Sequence, residues 1–386
     1  MPRDLVLMGL SLSVWGVGEG MFLYFQPIYL QKLGANAVTI GVILGAAGIS
    51  MAAAHIPAGY LADKYGPRPL LWASWIIATL AAGLMALATS LGVFVAGLLI
   101  YGLTSFVVAP MNSYITAARG KMSVGRALTL VSAMYNLGAI AGPVLGGAVG
   151  DRFGLRTVYA IGASITVIST LMIFFIRSQP AHSQAGSLNH LSLIQNPRFT
   201  GLLALVLVIM FALYLPQPLT PNFLQNQRHL SLSAIGQLGS IANLGNTILM
   251  LALGRLDSTL AIGLGQAAVA AFSLLIWQGS GMLWYGLGYF CIGGYRLCRS
   301  MVAAQVRPLV HPAQLGLAYG MLETVSALTL ILAPLLAGVL YQRSPSLIYA
   351  VSLVLIGLSF IANLVFMLRR QARSRLVVAP DESPTE

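Results

Sequence analysis

Apolar positions along the chain fall into long blocks separated by short polar breaks, and a bilayer-spanning helix needs about 20 predominantly apolar residues in a row. Twelve such blocks are present, at 5–30, 38–62, 70–89, 92–117, 126–149, 155–177, 199–224, 232–254, 259–278, 281–305, 315–341 and 346–368. They predict twelve transmembrane helices, numbered here in that order. Twelve helices in 386 residues leave about 32 residues for each helix with its loop. That leaves no room for a sizeable soluble domain, which excludes a catalytic or regulatory head. The first block is too long for the apolar core of a signal peptide and lacks a small-residue cleavage site, so it is expected to stay as helix 1.

Composition and charge narrow the class further. Charged residues make up 8% of the chain, against about 25% in a soluble domain, so no water-facing surface can be built from them. The net charge of +12 would suit a nucleic-acid partner, but the basic residues lie in short loops between apolar spans, and the positive-inside rule explains them better. With the N-terminus inside, fourteen Lys and Arg from Arg3 to Arg375 lie on the inner side and five on the outer. Both termini are therefore expected in the cytoplasm, with the protein in a cell (inner) membrane and no nucleic acid bound. Cys291 and Cys298 share one apolar block and read as packing residues, with no disulfide framework.

The loop at 178–198 is rich in Ser, Gln, His and Asn and divides the helices six and six. It reads as a flexible cytoplasmic linker between bundles at 1–177 and 199–368, with 369–386 a tail that is basic and then acidic. The two halves echo one another at an offset of 190 to 195 residues. Pro27-Ile-Tyr-Leu-Gln31 matches Pro221-Asn-Phe-Leu-Gln225, Ile40-Gly41 matches Ile235-Gly236, and Gly142-Pro-Val-Leu-Gly-Gly147 matches Ala333-Pro-Leu-Leu-Ala-Gly338. Six crossings return the chain to the same side, so this is a parallel repeat. The expected fold is an all-α integral membrane protein of two six-helix bundles, whose pseudo-symmetry encloses a site between them and favours alternating access.

Two motifs carry a family resemblance. Gly59-Tyr-Leu-Ala-Asp63-Lys-Tyr-Gly66-Pro-Arg68 lies between helices 2 and 3. Gly59 permits close helix contact, Gly66 supports a tight turn, and Asp63 is placed to meet a helix N-terminus or a basic partner. Contacts of that kind must break as two halves rock. In helix 5, Gly138, Gly142, Gly146 and Gly147 let backbones approach closely while Pro143 bends the helix. The first motif resembles the loop signature of the major facilitator superfamily, and the second is similar to the helix 5 signature of its proton-driven exporters. The resemblance implies a rocker-switch transporter in which Gly59, Asp63, Gly66, Arg68, Gly138, Gly142, Pro143, Gly146 and Gly147 serve conformational gating. Two departures stand out. Pro67 replaces the family's usual second basic residue, and Leu98, four residues before Gly102, stands where exporters of this type usually carry an arginine.

In that family helices 1, 4, 7 and 10 line the central cavity, and each of them carries a polar stripe here. Helix 1 has Trp15, Glu19, Phe22 and Gln26, helix 4 Tyr101, Ser105 and Asn112, helix 7 Tyr214 and Gln217, and helix 10 Tyr285, Tyr289, Arg296 and Arg299. All except Glu19 are expected to contact substrate. Glu19 lies mid-helix, where a charge costs at least about 2.5 kcal/mol. Burial favours its neutral form, so it is expected to load and release a proton. Glu323 lies about 12 Å inside the end of helix 11, at the depth of Arg299 and Arg296, about 10 and 15 Å in, at 1.5 Å per residue. An ion pair of Glu323 with one arginine is expected, with a share in proton coupling and the other arginine free for an anionic group. His55 reads as a packed histidine.

There is no phosphate-cradling Gly-Lys-Ser/Thr loop for ATP, no metal-spaced His/Cys/Asp cluster and no nucleophile-and-base pair, so neither a cofactor nor an enzymatic reaction is expected. The expected function is proton-coupled export of a small amphipathic compound by a monomer, its partners being substrate, protons and the lipid bilayer. The alternative is symport or facilitated uptake of a small anionic metabolite. A membrane enzyme or receptor would have to show turnover or signalling without solute flux.

Overall fold

The computed structural model describes the backbone of residues 2–179, 193, 195–311 and 314–378, and their side chains except those of 55–64, 308, 315–316 and 366–378. Among the described residues the secondary structure is entirely helical, without strands. Helix 1 runs as Arg3–Leu23 and Gln26–Lys32, helix 2 is Ala37–Tyr65, helix 3 Pro67–Leu87, and helix 4 Leu91–Leu103, Thr104–Val107 and Val108–Ala118. Helix 5 is Val124–Phe153, helix 6 Leu155–Ile173, helix 7 Pro197–Tyr214 and Thr220–Arg228, helix 8 Leu232–Leu253, and helix 9 Ser258–Gln278. Helix 10 is Met282–Cys291 and Gly294–Val306, helix 11 Leu315–Arg343, and helix 12 Leu347–Val378.

Ten of these spans are long and apolar enough to cross a membrane on their own. Helix 8 falls short because Gln237, Asn243 and Asn246 interrupt its apolar run, and helix 10 because it is cut into pieces of 10 and 13 residues. Helix 12 continues past its expected end at 368 to Val378. The expected linker lies largely outside the described residues, as do residues 379–386 of the expected tail.

All four helices with polar stripes are broken near mid-span. Proline lacks an N–H and clashes with the carbonyl four residues earlier. Pro27 accounts in this way for the break at Tyr24–Phe25, Pro110 for the tight 3-10 turn Thr104–Val107, and Pro216, Pro218 and Pro221 for the gap after Tyr214. Helix 10 has no proline at its break. There Gly293 backs onto Gly245 of helix 8 while Gly294 meets Gly265 of helix 9, an approach that only residues without a Cβ allow.

The packing of the two bundles differs from one face to the other. We call the face bearing the chain ends the terminal face and the opposite one the far face. In the far half one continuous apolar core crosses from bundle to bundle, joining Phe22, Ile28 and Tyr159 to Phe223, Ile235, Ala337 and Tyr349. In the terminal half there are two separate cores, Leu5, Trp75, Tyr114 and Ile173 in the first bundle and Phe199, Met210, Val302 and Leu322 in the second. Helix 2 lies on helix 11 through Gly41 against Pro334 and Gly45 against Ile331. Helix 5 lies on helix 8, where the Asn243 amide donates to the Ala139 carbonyl at 2.8 Å and the Ser240 hydroxyl to that of Ile140. The Asn222 amide of helix 7 donates to the Pro27 carbonyl of helix 1 at 3.1 Å. These hydrogen bonds between bundles, and those of Asn226 and Asp151, lie from mid-membrane outward to the far face. The bundles are sealed there and part toward the terminal face.

Candidate functional site

Glu19 lies where the bundles begin to part. Its carboxylate accepts two phenol hydroxyls, Tyr101 from helix 4 at 2.9 Å and Tyr135 from helix 5 at 2.7 Å. Hydrogen bonds to a charged group contribute about 1.5–3 kcal/mol each. Two of them offset a cost of at least about 2.5 kcal/mol for a mid-membrane charge. The break in helix 4 helps to shape this site, since the Thr104 hydroxyl takes up the Tyr101 carbonyl at 2.6 Å. Trp15, one turn before Glu19, stacks on Tyr101 with centroids 6.2 Å apart and tilts against Trp75 at 5.4 Å. Trp75 is in turn fixed by its indole N–H between the Ser11 and Ser169 hydroxyls, at 3.2 and 3.0 Å. The carboxylate thus rests in an aromatic frame tied to helices 1, 3, 4, 5 and 6.

Across the cleft, Arg299 pairs with Glu323 on helix 11. Their side chains are 44% and 57% exposed, so the pair is worth at most about 1 kcal/mol after solvent screening. Arg296, also exposed, has no ion pair among the described residues. It lies within electrostatic reach of Tyr24 and Tyr135 of the first bundle. The site therefore sets a carboxylate held by phenols opposite an uncommitted guanidinium, with one neutral pair beside them.

Several residues of the predicted stripes sit elsewhere. Phe22 is buried in the first bundle, stacked on Tyr159 at 5.2 Å and edge-on to Tyr101 at 5.7 Å. Tyr285 and Tyr289 are buried in the far core, Tyr289 edge-on to Phe272 at 5.7 Å. Ser105 donates its hydroxyl to the Met51 carbonyl at 3.1 Å and is committed to helix 2. Gln217 donates to the Leu213 carbonyl at 2.7 Å, filling a partner lost at the break of helix 7. Tyr214 packs on Tyr295 at 5.6 Å. Gln26 is half-buried and Asn112 exposed. Burial of large aromatic faces in the core wins over the placement expected from stripe spacing. Tyr135 and Tyr24 carry no such signal in sequence, because they lie off the polar stripes.

The gating residues divide into two sets. Gly138, Gly142 and Gly146 form a groove for helix 1 inside the first bundle, against Ser13, Val17, Gly20 and Met21. Pro143 and Gly147 face the other bundle, against Gly236 and the start of helix 8. Gly66 takes a left-handed φ of 78° and leads into helix 3, where the Arg68 guanidinium lies 4.1 Å over the Trp72 ring. The side chains of Asp63 and His55, and the surroundings of Gly59, lie outside the described residues. A cavity of about 310 Å³ between Gln31, Asn36, Asn222 and Tyr341 opens at the far face, remote from Glu19.

Comparison with known proteins agrees with this architecture. The chain is 27% identical over 167 residues to the multi-drug resistance efflux pump PmrA of Streptococcus pneumoniae, covering 42% of each chain. It is 28% identical over 178 residues to the multidrug resistance protein MdtG of Salmonella paratyphi A, covering 45% of this chain and 44% of the relative. The matches thus span less than half the length of these relatives. Among solved structures, the nucleoside transporter NupG superposes with a TM-score of 0.80 at 17% identity, over 95% of this chain and 98% of that one, a likeness of fold. The model of the Major Facilitator Superfamily matches residues 8–298. The chain is a multi-pass membrane protein, and it belongs to the Major Facilitator Superfamily.

Proposed function

We propose that this chain is a secondary active transporter that exports a small amphipathic compound in exchange for protons, working as a monomer in a cell (inner) membrane with both termini in the cytoplasm. The observation that carries the alternating-access part is the asymmetry of the core, continuous across both bundles in the far half and split in two in the terminal half. The structure then corresponds to the state open to the cytoplasm. Substrate enters beside Trp15 and the Glu19 carboxylate as a proton leaves for the cytoplasm. After the swing, Glu19 takes a proton from the far side as substrate departs. Tyr101 and Tyr135 hold the carboxylate between protonations. The likeness to relatives named as multidrug efflux proteins supports the direction.

The test uses inverted vesicles with an imposed gradient, acid inside, and a panel of lipophilic fluorescent compounds. Gradient-driven accumulation is expected with the native chain and is expected to vanish in Glu19→Gln, while substrate counterflow without a gradient persists. Full gradient-driven accumulation in Glu19→Gln would contradict the reading. Uptake of a small organic anion is the second reading, favoured by Arg296 lacking an ion pair among the described residues and by Leu98 standing where related exporters carry an arginine.

A further inference from the structure

The signature between helices 2 and 3 has a second copy after helix 5. Gly59, Asp63, Lys64, Tyr65, Gly66 and Arg68 are answered, at a constant offset of 88 residues, by Gly147, Asp151, Arg152, Phe153, Gly154 and Arg156. The turns have the same backbone shape. Gly66 has φ 78° and ψ 168°, Gly154 has φ 83° and ψ 161°, and each leads directly into a helix. Three crossings separate the copies, so the second lies on the far face.

There the carboxylate of Asp151 reaches across to the other bundle. One oxygen accepts the backbone N–H of Leu232 and the other that of Ser233, both at 2.8 Å. These are the first two residues of helix 8, whose N–H groups have no partner within their own helix. The positive end of the helix dipole favours a carboxylate at this place. Helix 8 has its own cap, Ser231, whose hydroxyl accepts from Ala234 N–H at 3.1 Å, so its fold does not require Asp151. Below the carboxylate the same two helices stay in contact through Gly147, Gly236 and Pro143.

We infer that Asp151 is a conformational latch: its bonds to the N-terminus of helix 8 hold the far face shut and must be given up to water each time that face opens. The inference rests on the alternating-access reading above. It also gives the second copy of the motif a role on the far face, in the mirrored position to Asp63 on the terminal face.

Sided alkylation tests it in a background without Cys291 and Cys298. Ser240→Cys is the reporter, because that side chain is buried between the bundles. A membrane-impermeant maleimide is applied to the far face of sealed vesicles, and the labelling rate follows the fraction of time that face is open. Asp151→Asn is expected to raise the rate about five- to tenfold, the loss of one charge-assisted contact at a solvent-exposed helix end. Ser233→Pro removes one of the accepted N–H groups from the first turn, where proline is tolerated, and is expected to raise the rate in the same direction. It leaves the first bundle untouched and carries the test if Asp151→Asn does not fold. Arg152→Gln, which alters a neighbouring exposed charge, is expected to leave the rate unchanged. A native rate in either Asp151→Asn or Ser233→Pro, or an equal rise in Arg152→Gln, overturns the latch. Failure of the reporter to react from the far face in every background would instead count against alternating access itself.

Discussion

Helix 5 offers two glycines, five residues apart, whose replacement separates the fold from its movement. A Cβ on Gly147 would stand 2.8 Å from the Ser233 Cα and 3.0 Å from the Leu232 carbonyl carbon, both in the other bundle. A Cβ on Gly142 would stand 2.7 Å from the Gly20 Cα, within its own bundle. In both cases the obstacle is backbone, so relief requires a helix to move, and overpacking of this kind costs about 1–3 kcal/mol. At Gly147 the strain exists only while the far face is shut. Opening relieves it, and 1–3 kcal/mol corresponds to about 5- to 150-fold in the equilibrium between states. At Gly142 the strain persists in both states, so it lowers stability, by roughly 1 °C of Tm per kcal/mol for a chain of this size, without biasing the equilibrium. Spin labels on Lys32→Cys and Arg343→Cys, exposed at the far ends of helices 1 and 11, report the separation of that face by pulsed electron resonance. Gly147→Ala is expected to add a longer-distance component with little loss of Tm, and Gly142→Ala to lower Tm with unchanged distances. The same response from both variants in both measurements would refute the division of helix 5 into an inner and a cross-bundle face.

Further outcomes follow from the site. Because the Arg299–Glu323 pair is about half exposed and worth at most about 1 kcal/mol, Glu323→Ala is expected to impair transport at most about fivefold, and the double change Glu323→Ala/Arg299→Ala no less; vesicle flux compares them, and a single-variant defect far larger than that of the double change would contradict a solvent-screened pair. Tyr135→Phe removes one of the two hydroxyls that the Glu19 carboxylate accepts, a contact worth about 1.5–3 kcal/mol, and is expected to weaken gradient-driven accumulation with Glu19 in place while adding nothing to the defect of Glu19→Gln. Additive defects in the double change would mean that Tyr135 does not act through Glu19. Arg296→Ala is expected to abolish protection by organic anions in thermal-shift binding while sparing neutral ligands, and persistence of anion binding would remove the second functional reading.

Much of this architecture is legible in sequence because lipid imposes a blunt rule: a span must be predominantly apolar. Hence, helix 12 excepted, the spans lie within a few residues of their expected positions. The breaks in helices 1, 4 and 7 fall beside Pro27, Pro110 and the prolines at 216, 218 and 221, whereas the break in helix 10 has no such local mark, because Gly293 and Gly294 matter through helices 8 and 9. Depth counting at 1.5 Å per residue brings Glu323 level with two arginines. It does not choose between Arg296 and Arg299, which are three residues apart and share a face. Stripe spacing defines one side of a helix without saying what meets it, which is why Phe22, Tyr285 and Tyr289 turn out buried in the core. Tyr135 was hidden for a related reason. Helix 5 reads as a packing helix, and its phenol gains meaning only once Glu19 is seen beside it.

The central claim is that solute crosses only because the far seal opens and closes. Gln31 and Asn226 meet across that seal, the Asn226 amide donating to the Gln31 side chain at 3.0 Å. Gln31→Cys and Asn226→Cys, joined by a short, reducible bifunctional thiol reagent in a chain without Cys291 and Cys298, hold the two bundles together at the far face. Solute flux in proteoliposomes is expected to stop on cross-linking and to return on reduction, while a monofunctional reagent leaves it running. Undiminished flux through the cross-linked protein would contradict the account.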